Sequence, residues 1–363
     1  MQKYRVGLIG ATGMVGQRYS LLLQNHPWFE VVCVAASSRS AGKTYQQAVE
    51  GRWAFVGTPV PPSIAKLTVL DAADVDAVAS QVDFVFCAVD MKMDEARALE
   101  ERYAKTETPV MSCNSANRLT PDVPMLIPEI NGAHAAVIDA QRKRLGTKVG
   151  FISVKPNCSI QSYVPALWPL LDFEPREVIA CTYQAISGAG KTFATWPEMV
   201  DNVIPYIGGE DEKSEREPLK IYGSVQNGAI ADSALPRISA QCLRVACTDG
   251  HMAAVSVKFG KKSTVEQILE RWENCQPATN GMELPSSPKK FLYYFNDPAR
   301  PQTRLDRDLE GGMAISIGRL RPDPVFDYKF VCLSHNTLRG AAGGSVLSAE
   351  YLCKLGYIPY KNA

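Results

Sequence analysis

The segment GLIGATGMVGQ, residues 7 to 17, constrains the fold more than any other, because it spaces four glycines three apart directly after the apolar run Tyr4 to Ile9. A strand that turns on glycines into a helix lets backbone approach a pyrophosphate and offers it the free N–H groups of a helix start. Phe29 to Ala36 reads as the next strand, which makes a βαβ opening. The apolar runs Val82 to Val89 and Val110 to Ser112 extend a mostly parallel sheet of the doubly wound kind. The glycine motif opens a short run, so it reads as strand and turn and not as a signal peptide.

The end of the second strand bears on which dinucleotide fits. A carboxylate there normally receives the ribose 2′-hydroxyl of NAD. No acidic residue lies between Glu30 and Glu50; Ser37, Ser38, Arg39 and Lys43 in AASSRSAGK could instead hold a 2′-phosphate, which points to NADP. The chain has 39 basic and 38 acidic residues without blocks of one sign, which argues against nucleic acid as a partner. No stretch approaches the ~20 apolar residues that span a bilayer. Ten cysteines without a CxxC pair suit a reducing cytoplasm better than a disulfide framework, and no metal site is expected.

From Val149 onward longer strand-like segments follow: Val149 to Val154, Val178 to Ala185, Ala240 to Thr248, Ala253 to Phe259 and Met313 to Arg319. They predict a second, α+β domain with an open mixed sheet. Gly208 to Leu219 reads as a solvated, charged segment, and Ala341 to Leu355 as a helix folding back on the first domain. The expected division is a Rossmann-type dinucleotide-binding domain over 1–157, completed by 337–363, and a second, catalytic domain over 158–336.

Cys158, in VKPNCSIQ, follows an apolar strand, with Ser159 to Leu171 expected to open a helix whose N-terminus would favour the thiolate. A small buried thiol is the ordinary fate of a cysteine. The combination with a downstream Gln, an Arg and His251, which follows a TDG turn, instead suggests a Cys/His pair for acyl transfer.

GATGMVGQ, LIPEIN, PNCSIQ, TYQAISGAGKT and NTLRGAAGGS, in this order and spread over nearly the whole chain, resemble the motifs of the aspartate-semialdehyde dehydrogenase family in its archaeal and fungal branch. The resemblance implies NADPH-dependent reduction of L-aspartyl 4-phosphate to L-aspartate 4-semialdehyde through a cysteine thioester, a step toward lysine, threonine and methionine. It implies Cys158 as nucleophile, Asn157 at the oxyanion, Gln184 orienting the substrate and His251 as acid/base. Arg244 would grip the substrate carboxylate, Arg118 and Lys220 the phosphate, and Glu217 the amino group. Gly10, Thr12, Gly13, Met14, Val15 and Gly16, with Ser187, Gly188 and Asn336, would meet the cofactor, and the chain would form a homodimer or homotetramer. Arg244-Val245-Ala246 and His251-Met252-Ala253 depart from the branch's usual flanks. An acyl-CoA reductase of the malonyl-CoA type therefore stands as an alternative, and a non-catalytic NADP-binding redox sensor as a further one.

Overall fold

The computed structural model describes residues 2–361. Six parallel strands form the first sheet: β1 (Tyr4–Ile9), β2 (Phe29–Ala36), β3 (Val69–Asp71), β4 (Phe84–Cys87), β5 (Val110–Ser112) and β6 (Ile152–Val154), in the order β3-β2-β1-β4-β5-β6. The order reverses between β1 and β4, the position where doubly wound sheets open a crevice for a ligand. Two details differ from expectation. The three-residue β3 is too short to read from periodicity, and Ile152–Val154, read in one series with the later strands although inside the 1–157 division, pairs with β5 and closes the first sheet.

A two-stranded ribbon, β9 (Ser224–Gln226) with β10 (Ala229–Ala231), stands apart from the second sheet. That second sheet has seven strands in mixed directions: β7 (Pro175–Gln184), β8 (Val203–Ile204), β11 (Arg237–Val245), β12 (His251–Phe259), β13 (Leu292–Phe295), β14 (Ile315–Pro322) and β15 (Tyr328–Ser334), in the order β13-β14-β15-β12-β7-β11-β8. Alternation along β12 buries Ala253, Val255 and Val257 against the helix Val265–Glu273, which contributes Ile268 and Trp272 to the same core. On β7 the opposite phase leaves Ile179 and Tyr183 exposed. The helix Gly343–Lys354 returns to the first sheet, where Val346, Leu347 and Leu352 share a core with Val6, Leu8, Phe84 and Phe86.

The segment read as solvated is instead the helix Glu210–Ile221, whose buried residues are Glu210, Ser214, Glu217 and Lys220, with Pro218 and Ile221 at its end. Those positions follow the three- and four-residue step of a helix face. Charged residues occupy the places where apolar ones would normally signal burial, so the periodicity is hidden. Among the described residues no helix is long and apolar enough to cross a membrane. All ten cysteines are free.

Candidate active site

The glycine turn is held by backbone. Gly10 and Ala11 donate to the Ala35 carbonyl, and Gly10 adopts φ +80° with no room for a side chain, since a Cβ there would stand 2.2 Å from the Ala88 oxygen. The helix Met14–Leu22 follows, its start uncapped by any side chain and free of acidic residues in its first turn, which suits an anion. A cavity of about 450 Å³ opens beside it, lined by Gly10, Thr12, Gly13, Ser37, Arg39 and Arg52 among others. Arg52 is absent from the sequence reading; its guanidinium donates to Ser40 Oγ at 3.0 Å and to the Ala48 carbonyl at 2.9 Å. Ser38 and Lys43 are exposed and lie outside that lining, while Met14 and Val15 sit half-buried and Gly16 buried at the start of the helix. Acidic groups do reach the cavity, as Asp71, Asp90 and Glu95, but none stands at the end of β2. The backbone turn, the bare helix start and the two guanidiniums fit a phosphorylated dinucleotide.

Gln184, Arg244 and His251 meet because they end or begin neighbouring strands. Arg244 on β11 is paired with Gln184 on β7, and His251 begins the antiparallel β12. Arg244 donates to the Ala185 carbonyl at 2.7 Å. The Ala185 N–H donates to His251 Nδ1 at 3.0 Å, so the neutral ring carries its proton on Nε2. That Nε2 is buried and has no partner among the described residues. A Cβ on Gly188 would lie 3.0 Å from Nε2 and 2.9 Å from the Arg244 guanidinium, so the bare backbone of Gly188 covers both. Beside it Asn336 donates to Ser187 Oγ at 2.8 Å and accepts from the Gly250 N–H.

Burial, reinforced by Arg244, holds the imidazole well below its ordinary value. An acid/base ready near neutrality was expected from the reference pKa of histidine. The chain instead presents a neutral ring and an Nε2–H donor.

Cys158 lies after β6, in a run of turns; the helix that follows begins only at Val164 and lasts four residues. The expected helix start at Ser159 is therefore corrected. The local turn is made by Asn157, whose Oδ1 accepts from the Ser159 N–H at 2.8 Å and from Ser159 Oγ at 2.7 Å. The Cys158 thiol makes no hydrogen bond among the described residues and retains a partly open surface. Burial and the Glu210 carboxylate raise its proton affinity, and Lys155, Arg118 and Arg244 act in the opposite direction without cancelling it. The thiol thus holds its proton more tightly than an ordinary cysteine, where the sequence suggested a helix start favouring the thiolate. Gly340 packs on this residue; a Cβ there would stand 2.9 Å from Cys158 Cβ.

Two carboxylates of the helix Glu210–Ile221 organise the rest. Glu210 accepts from Asn157 Nδ2 at 2.9 Å with both oxygens, from Gln184 Nε2 at 3.3 Å and from Lys213 Nζ at 2.9 Å. Burial raises its pKa, but Lys213 and the two amides outweigh that and leave it below the usual carboxylate value. Glu217 accepts from Arg118 Nη1 at 2.9 Å and from the Asn157 N–H at 2.6 Å. Lys220 donates to three backbone carbonyls, of Arg118, Thr120 and Val123, at 2.6 to 2.8 Å. Lys220 has spent all three ammonium donors inside the protein, and Glu217 is buried with one oxygen on Arg118 and the other on the Asn157 N–H, which speaks against the direct substrate contacts expected of them. Asn157 likewise has its side-chain amide turned to Glu210 and away from an oxyanion role. Glu210 and Lys213, three residues apart on the same helix face, went unread.

Residues 5–138 match the family described as semialdehyde dehydrogenase, NAD binding domain, and residues 167–339 that described as semialdehyde dehydrogenase, dimerisation domain. An aspartate-semialdehyde dehydrogenase of Archaeoglobus fulgidus is 41% identical over 355 residues, 97% of this chain and 98% of its own length. The chain belongs to the aspartate-semialdehyde dehydrogenase family. Its counterpart in Aspergillus fumigatus is 40% identical, covering 98% and 99%. The crystal structure of the family member from Candida albicans, solved with NADP, superposes with a TM-score of 0.87 at 35% identity, covering 98% of this chain and 100% of that one. A Vibrio cholerae member complexed with ASA shares the fold, with a TM-score of 0.74 at 24% identity. The archaeal and fungal relatives carry the family name throughout, which disfavours the acyl-CoA reductase and redox-sensor alternatives.

Proposed function

We propose that this chain catalyses the NADPH-dependent reduction of L-aspartyl 4-phosphate to L-aspartate 4-semialdehyde and phosphate through a thioester on Cys158. The observation that carries the reading is a cysteine with an uncommitted thiol, in a site that also presents a buried guanidinium and an unpartnered imidazole N–H. Arg244 takes the substrate carboxylate, for which a planar guanidinium offers two parallel donors. Glu210 takes the ammonium group and Gln184 orients the chain between them. Lys213 and the unused N–H groups of Arg118 take the phosphate.

The S–H bond breaks and its proton leaves with the phosphate, while sulfur forms a bond to the acyl carbon and the bond to phosphate breaks. NADPH, when bound along the glycine turn, supplies the hydride that converts the thioester to a thiohemiacetal anion. His251 Nε2–H donates a hydrogen bond to that oxygen, a task suited to a neutral ring. The anion then collapses, breaking the carbon–sulfur bond and releasing aldehyde and thiolate without needing a proton. Ser187, Gly188 and Asn336, beside His251, would meet the cofactor, and Arg39 with Arg52 would hold its 2′-phosphate.

The chain acts as a homodimer or homotetramer in the cytoplasm. Exposed Ile179, Tyr183, Val200, Val203 and Tyr206 supply apolar surface for a second copy, and ten free thiols suit a reducing compartment. The test is phosphate-dependent reduction of NADP with aspartate semialdehyde, wild type against Cys158→Ala. Activity should vanish in the variant, and equal rates would dismiss the reading.

A further inference from the structure

Two stretches of irregular backbone border the nucleotide cavity: the glycine turn, 10–13, and the loop 50–61 that carries Arg52. Arg52 is exposed and belongs to neither helix nor strand, so its place depends on whatever holds the loop. An untied loop loses conformational freedom when a ligand orders it, and that loss weakens binding.

Gln17 makes the tie. It stands in the helix Met14–Leu22, is 2% exposed, and its own N–H donates to the Gly13 carbonyl at 2.8 Å. Its side-chain Nε2 donates to the Thr12 carbonyl at 3.0 Å and to the Arg52 carbonyl at 3.1 Å, while Oε1 accepts from the Ala54 N–H at 2.8 Å. Both amide protons and the amide oxygen therefore go to backbone, one bond to the glycine turn and two to the residues on either side of Trp53. Turning the amide over would set its oxygen against two carbonyls, so the network admits one orientation. From this fixed backbone the Arg52 guanidinium spends Nε on the Ala48 carbonyl and one Nη2 bond on Ser40 Oγ; Nη1 makes no hydrogen bond among the described residues. Arg39 lines the same cavity, but none of the Gln17 bonds reaches it.

We infer that Gln17 is a positioning residue for the preference of NADP over NAD: it fixes the Arg52 backbone relative to the pyrophosphate turn, so that the guanidinium is in place when the 2′-phosphate arrives. The inference rests on the reading of Arg52 as a 2′-phosphate contact. Selectivity is the consequence because both nucleotides bring the pyrophosphate and only NADP brings a second anion. A fixed spacing between two anion sites favours the ligand that bears both and does nothing for the ligand that bears the first alone. A loop that held Arg52 in place for only a fraction of the time would weaken NADP by that fraction.

The test is a binding titration that needs no turnover. NADP and NAD are titrated against the tryptophan fluorescence of the full-length protein in wild type, Gln17→Met, Gln17→Glu, Arg52→Ala and the double variant Gln17→Met/Arg52→Ala. Methionine keeps the bulk and loses all three side-chain bonds; glutamate keeps the bond to Ala54 and turns an acceptor toward two carbonyls. Each Gln17 variant should weaken NADP about tenfold and leave NAD within about twofold. In the double variant the loss should match that of Arg52→Ala, because a residue that acts through Arg52 has nothing left to position. Equal losses for both nucleotides, or losses that add in full in the double variant, overturn the inference. Ala54→Pro removes only the N–H that Gln17 accepts, in a loop outside both sheets, and is readable even if the Gln17 variants fail to fold. It should lower the NADP-to-NAD preference, and an unchanged preference overturns the inference. A selective NADP loss in Arg52→Ala without one in the Gln17 variants removes the tie alone. An Arg52→Ala protein that binds NADP like wild type removes the 2′-phosphate reading and the tie together.

Discussion

The helix Glu210–Ile221 carries the same pair of residue types twice, Glu210 with Lys213 near its start and Glu217 with Lys220 near its end, and the two pairs have opposite fates. Lys213 is about one-third exposed and bonds to its glutamate alone among the described residues, whereas Lys220 is buried with three carbonyls around its ammonium. Glu217 is spent on Arg118 and a backbone N–H, while Glu210 holds side-chain amides and a lysine that an incoming ligand could exchange. Residue type and spacing do not separate scaffold from ligand contact. Access from outside and partners that a ligand could displace do.

The largest effect should come from breaking the inner pair. Lys220→Met leaves three carbonyls without their donor and should cost about 3 kcal/mol or more in chemical denaturation, each unsatisfied buried group costing ~1–3 kcal/mol. Lys213→Met should leave stability within ~1 kcal/mol and raise KM for aspartyl phosphate roughly tenfold. A stable Lys220→Met with a substrate defect alone would break the comparison. Next in size, Arg244→Lys should lower kcat/KM by roughly 100-fold, because an ammonium cannot make the paired contact with a carboxylate. Steady-state kinetics would reveal a near-normal value if the carboxylate is held elsewhere.

A pH measurement sharpens the outer pair. The folded pKa of Glu210 is depressed below its ordinary 4.5, so its charged form contributes stability present above that value and lost as pH falls through the lower folded one. Removing Lys213 takes away the leading partner that lowers it, so the acid limb of kcat/KM in Lys213→Met should move to higher pH. An unmoved limb would detach Glu210 from the chemistry. The smallest effect is expected at the cofactor: Arg52→Ala and Arg39→Ala should each weaken NADP binding about tenfold and leave NAD unchanged, as fluorescence titration would record. Equal losses for both nucleotides would remove the 2′-phosphate contact.

Legibility followed the same division. The nucleotide half is written in backbone-dependent signals, glycines after an apolar strand, and β1, β2 and β5 fall where their apolar runs end. Cys158, Gln184, Arg244 and His251 could be named from motifs, since three of them mark the ends of strands with clear alternation. Arg52 could not, because its relation to Arg39 depends on a loop of irregular backbone. Glu210 and Lys213 were hidden in a charged helix whose buried residues are mostly polar, the apolar ones coming only at its end. The protonation states were invisible too, because local sequence suggested a helix start and a reference pKa, and burial overrode both.

The central claim is that one sulfur carries the acyl group. Mixing the enzyme with aspartate semialdehyde and NADP in the absence of phosphate should give a burst of NADPH equal to the number of active sites, with the aspartyl group found on the Cys158 peptide. No burst, or an acyl group on any other residue, would contradict the account.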